Sequence, residues 1–283
     1  TNPQAFLLAE VYQPHLYRDY IKLGKMDYLY DKVEFYDSLK LVMQGKGPTS
    51  ALVETQQRMA DIEHHMLHFL ENHDEQRIAA PEFAGDARKG LPAMVVSATV
   101  STSPTMIYFG QEVGEPGAED AGFGDPSRTS IFDYIGVPQH QKWMNGGKFD
   151  GGQLSENEKA LRNYYSEVLN FTRNSSALMG EYMELHSFNR SQNPDYTYKA
   201  FAFARWDDSQ KLIVVTNFDE FQSVKTTLKL SPELLKAWNL KAGEREIKEV
   251  MFGKKKTMLR VTESGAEIDL DFGPWESAVF EIQ

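Results

Sequence analysis

The stretch that most constrains the fold is 66–77. A largely apolar run, Met66-Leu67-His68-Phe69-Leu70, breaks without transition into Glu71-Asn72-His73-Asp74-Glu75-Gln76-Arg77. A buried strand that ends in a cluster of polar groups is how α/β barrels place chemistry at the carboxyl ends of their strands. Asn72, His73 and Asp74 supply an amide, an imidazole and a carboxylate on successive positions. Such a strand needs like neighbours, and the chain around it provides them.

Residues 5–12 and 26–30 read as short strands, each followed by helical spacing: 15–23 ended by Gly24, and 35–43 broken by Gly45, Gly47 and Pro48. Thr49 is placed to cap a further helix through about residue 62. After the strand 66–72, the small apolar stretch 89–102 reads as a helix packed on a sheet, and 105–110 as a fourth strand. Strand and helix thus alternate four times by Gly110. That pattern predicts a parallel sheet, and four units are half of an eight-stranded barrel, which takes ~250 residues. Segment 112–154 is Gly-rich and weakly periodic, and a loop this long inside a compact domain is usually functional. Ser155 with Glu158 makes a capping box for a helix to about residue 173. Beyond Gly180, short alternating runs (198–206, 211–217, 223–230, 257–262, 267–271, 277–282) predict an antiparallel sheet or sandwich. The expected fold class is α/β: the second half of a (β/α)8 barrel (1–176), then an all-β antiparallel sandwich domain (177–283).

Composition narrows the function. The 283 residues are 41% hydrophobic and 25% charged, with net charge −11 and no basic cluster. Nucleic acid and anionic membrane are poor partners for such a chain, whereas a neutral ligand suits it. The absence of cysteine removes disulfides, thiolate catalysis and cysteine-ligated zinc, and leaves the compartment open. No apolar run approaches the roughly 20 residues of a membrane span. The chain opens on Thr1 inside a strand, without a signal peptide, and reads as a piece of something longer.

Glu10 and Asp74 fall where the first and third strands hand over to their loops, so both are expected to face one bowl. Two carboxylates flanking one bond is what glycoside hydrolysis requires, although carboxylates at loop starts are more often simply solvated. His73 beside Asp74 suits a sugar hydroxyl, since neutral imidazole both donates and accepts. Metal is not expected there: His64 and His65 precede the strand and His68 alternates away from Phe69. Arg77 is expected to pair with Glu75. Tyr12, two residues past Glu10, is the aromatic best placed to meet a sugar face; Tyr108 and Trp143 are more readily core. No phosphate-binding glycine pattern occurs.

These residues resemble glycoside hydrolase family 13, the α-amylase family. Phe69-Leu-Glu-Asn-His-Asp74 matches its fourth conserved region, Ala9-Glu-Val-Tyr12 its third, and Pro104-Thr-Met-Ile-Tyr-Phe-Gly-Gln-Glu-Val-Gly114 its eighth barrel strand, in order and across nearly the whole chain. The resemblance implies strands five to eight plus the C-terminal β-domain. It implies Glu10 as general acid/base, Asp74 as binder of substrate hydroxyls and stabiliser of the transition state with His73 beside it, and Arg128 as an arginine of the post-barrel loop. It also implies that Asp74 is not the nucleophile. That residue belongs to a preceding strand absent here, so the chain alone is expected to be inactive. The implied function is that of a retaining hydrolase, or a transglycosylase, acting on α-glucans such as starch and maltodextrin. The rival is a non-catalytic glucan-binding or assembly protein on the same fold. No cofactor is implied; calcium is frequent in the family, but its usual ligands lie mostly upstream. Half a barrel leaves open sheet edges, so self-association, or strands supplied in trans, is expected.

Overall fold

A computed structural model of the chain describes residues 2, 4–117, 129, 137–253 and 255–283. Four short strands, β1 (Leu8–Ala9), β2 (Tyr28–Tyr30), β3 (Met66–Phe69) and β4 (Thr105–Met106), form one sheet in that order. All pair in parallel, with Leu8 opposite Tyr28, Leu29 opposite Met66 and His68 opposite Thr105. Parallel neighbours need long crossovers. Helices α1 (Tyr17–Lys22), α2 (Asp37–Met43), α3 (Ser50–Met59) and α4 (Leu91–Thr99) supply them. The strands are shorter than the apolar runs that announce them, because residues such as Leu70 leave the ladder while staying buried. β3 is buried throughout, whereas Leu8 on the edge strand β1 is exposed.

Thr49 precedes α3 as expected, but it does not cap the helix. Its hydroxyl instead donates to the carbonyls of Tyr198 (2.6 Å) and Ala200 (2.9 Å), and α3 ends at Met59. The long segment after β4 holds α5 (Pro138–Met144), which the sequence pattern did not announce. Helix α6 (Glu156–Asn174) starts on the expected box: Ser155 Oγ accepts from the Glu158 amide, and Glu158 reaches back to the Ser155 amide at 2.6 Å.

The rest of the chain is antiparallel: β5 (Glu181–Glu184), β6 (Ala200–Trp206), β7 (Lys211–Asn217), β8 (Val224–Leu230), β9 (Gly243–Glu249), β10 (Lys256–Val261), β11 (Ala266–Phe272) and β12 (Ser277–Glu281). They make one sheet in the order β5-β6-β7-β12-β9-β10-β11-β8. Side chains alternate across a strand, and in β6, β7 and β12 both faces are buried. Phe201, Phe203, Leu212, Val214 and Val279 join the cluster that contains Met94 and Val96 of α4 and Val168 of α6. Ala202, Ala204, Ile213, Val215 and Phe280 join Leu228, Leu259 and Ile268 in a second cluster. The sheet therefore curls so that its two ends enclose one interior, as a sandwich does. The apolar runs in β6 and β7 lack a polar face for this reason. Helices α7 (His186–Gln192) and α8 (Pro232–Trp238) and strands β5 and β9 went unread in the sequence. In β9, Ile247 is the buried apolar residue, and the rest of its burial falls to Glu249.

Candidate active site

The turn after β3 is built by three polar residues that do not face outward. Glu71 is buried, and its carboxylate accepts from Arg77 Nη1 (2.8 Å) and from the Ile78 amide (2.8 Å). Burial pushes the Glu71 carboxyl up, against the downward pull of Arg77. Arg77 is fully buried, stacks its guanidinium over the Tyr108 ring at 4.4 Å and donates to Thr129 Oγ1. It thus pairs with Glu71 and not, as expected, with Glu75. Glu75 meets Lys32 (3.1 Å), Lys40 (3.0 Å) and the Tyr36 hydroxyl (3.1 Å) instead. Asn72 is also internal. Its Oδ1 accepts the amides of Asp74 (2.9 Å) and Glu75 (2.8 Å), the Asx turn for which asparagine is suited. With Glu71, Asn72 and Arg77 committed to the turn, His73 and Asp74 are the two side chains presented at its tip.

Glu10 lies in the loop directly after β1 and meets that tip. His73 Nε2 is 3.5 Å from Asp74 Oδ2 and 3.9 Å from Glu10 Oε2. The Tyr12 hydroxyl donates to Glu10 Oε1 and lies 3.3 Å from Asp74 Oδ2. Burial, and then the Glu10 hydrogen bond and the two negative charges, push the Tyr12 phenol far up, so it stays a donor. Its single proton serves one carboxylate at a time. Tyr12 therefore bridges the acids through its hydroxyl, an edge contact in place of the expected stacking face. Tyr30, at the carboxyl end of β2, is a neighbour the sequence reading missed. Burial raises its phenol most, and the charges of Glu10 and Asp74 add to that rise. The register that sets Ala9 beside Leu29 brings Tyr30 level with Glu10, and its place at the strand end was the available signal. Trp143 packs against His140, Phe149 and Arg162, away from this cluster. Arg128 lies outside the described residues.

Glu10, His73 and Asp74 each offer one ligand atom within 4.8 Å of the others, so a cation is the competing occupant. Tetrahedral zinc with ligands at ~2.0–2.2 Å holds them about 3.3–3.6 Å apart. The His73–Asp74 separation fits that range, the Glu10–His73 separation of 3.9 Å is wider, and one Glu10 oxygen already accepts from Tyr12. Two carboxylates, an imidazole and a phenol can together donate to and accept from paired hydroxyls.

No family model matches the sequence, and no curated protein matches it. Solved structures do match. The α-amylase of Geobacillus thermoleovorans complexed with acarbose superposes on 100% of this chain, using 54% of its own, at 17% identity and a TM-score of 0.67. The γ-CGTase of alkalophilic Bacillus clarkii covers 98% of this chain with 36% of its own (16% identity, TM-score 0.67). The debranching enzyme of Nostoc punctiforme covers 99% with 52% of its own (14%, 0.65). This chain therefore spans about half or less of the solved chains it matches. At such identities the likeness shows the fold: part of an α-amylase structure, with half of a barrel followed by an antiparallel β-sheet.

Proposed function

We propose that this chain is the C-terminal portion of a retaining α-amylase-type glycoside hydrolase acting on α-glucans such as starch and maltodextrin. Its division lies near residue 177. The observation that carries the reading is the convergence of Glu10, His73 and Asp74 from the ends of two strands separated by a third. In the full enzyme, Glu10 protonates the leaving glycosidic oxygen while a carboxylate from a preceding strand attacks the anomeric carbon. The ionised Glu10 then takes a proton from the water that releases the glycosyl intermediate. His73 and Asp74 hold hydroxyls of the bound ring, Arg128 adds a substrate contact, and Tyr12 orients the two acids. Transfer to a second sugar uses the same residues with a hydroxyl in place of water.

Turnover of maltodextrin by the parent-length protein is the test. Glu10→Gln is expected to lower it by ~10²–10⁴-fold, and the 283-residue chain alone should show none. A parent that turns over equally well with Glu10→Gln refutes the assignment. Binding without turnover would make it a glucan-binding protein.

A further inference from the structure

A cavity of about 260 Å³ lies between the two sheets, walled by α3, the turn before β3, the link from α4 to β4, and strands β5 and β6. It is at the amino ends of the parallel strands, the opposite end from Glu10 and Asp74. At roughly 30 Å³ per water it has room for about eight waters, or for one hexose ring. It is partly open and mostly apolar in lining, but the few polar groups in it stand out. Arg205 is 1% exposed, and its Nη atoms are spent on the carbonyls of Leu178 (2.6 Å), Gly180 (3.2 Å) and Thr99 (3.3 Å), which leaves Nε without a partner. The Tyr182 hydroxyl and Glu63 Oε1 are likewise buried and make no hydrogen bond, although Glu63 Oε1 lies 3.9 Å from His68 Nε2. Buried polar groups are nearly always satisfied, and a cluster that is not asks what satisfies it.

We propose that this cavity binds an uncharged polyol no larger than a single hexose. The charges select the class. Glu63 and Glu184 oppose an anion, and Arg205 opposes a cation. A neutral diol meets both needs, since each hydroxyl donates to a carboxylate oxygen and accepts from a guanidinium or phenol. Val53 and Val100 provide an apolar wall for the C–H face of a ring. The site is independent of the catalytic reading above and joins the parallel half of the molecule to the antiparallel sheet.

Calorimetric titration of the full chain with glucose, glucosamine and glucuronate tests it, beside the variants Gln57→Trp, Tyr182→Phe and Asp74→Asn. Gln57 is exposed on α3 at the cavity, so tryptophan there plugs it without disturbing the core. Glucose is expected to bind in the millimolar range and more tightly than either charged sugar. Gln57→Trp should weaken it roughly tenfold, a change of about 1.4 kcal/mol, Tyr182→Phe should weaken it less, and the part of the binding that Gln57→Trp removes should be the same in Asp74→Asn. Thermal melts of each variant separate lost binding from lost folding. The proposal fails if glucose gives no heat, as a cavity holding only water would. It also fails if a charged sugar binds more tightly. Binding that survives Gln57→Trp and vanishes with Asp74→Asn belongs to the other end of the strands, and overturns it too.

Discussion

The two halves of the molecule are organised in opposite ways. In the antiparallel sheet, β6 and β7 are seven residues long, and each sends alternate side chains into two different cores. In the parallel half, β1 and β4 are two residues long, and the region of β1 and α1 leaves Phe6, Leu7, Tyr20 and Leu23 exposed, Leu23 at 78%. The antiparallel half covers both faces of its central strands, one of them with helices α4 and α6, and so anchors the fold. The parallel half leaves apolar residues uncovered at its first strand and helix.

That contrast can be broken by mutation. The largest effect is expected inside the sheet: Phe203→Ala removes a fully buried ring shared with the helices, at ~3–5 kcal/mol. Denaturant unfolding measures it, and a loss under 1 kcal/mol would mean the sheet is not the anchor. Next is the turn that presents His73 and Asp74. Glu71→Ala strands Arg77 as a buried unpaired charge, an expected loss of about 3–5 kcal/mol. In the parent it should abolish turnover even at temperatures where the protein remains folded.

A pH effect of about 3 kcal/mol is expected from His186, which is 1% exposed and whose burial lowers its pKa to about 4 from 6.5. The unfolded chain binds this proton more readily than the folded one. The contribution is therefore complete above pH 6.5 and is lost as pH falls through 4. His186→Phe should reduce, but not abolish, the fall of Tm between pH 6.5 and 4, since buried His68 is lowered to about 4 as well; an unchanged slope would assign the acid sensitivity elsewhere. The smallest effect is expected at the open edge. Leu23→Ser should alter the stability of the isolated chain by less than about 0.5 kcal/mol, yet reduce self-association seen by light scattering. A chain that is monomeric before the change would contradict the expected self-association.

The same contrast governs what the sequence discloses. The alternation of the first 110 residues and the runs 211–217 and 277–282 were legible because periodicity reports burial directly. The strand β9 was not, since charged residues dominate it and its neighbours decide its place. At the site, Glu10, His73 and Asp74 were readable as strand-end groups next to a recognisable motif. The partner of Arg77 was not, because Glu75 is two residues away and Glu71 six, and only the direction of the turn brings the farther one into reach. The role of Tyr12 was also hidden: spacing placed the ring near the acids, but only the fold aims its hydroxyl between them.

The most direct test is a crystal structure of the parent-length protein with acarbose. The account predicts hydrogen bonds from the inhibitor to the carboxylates of Glu10 and Asp74, with His73 Nε2 on a neighbouring ring hydroxyl. Acarbose bound elsewhere, with Glu10, His73 and Asp74 left to solvent, would contradict it.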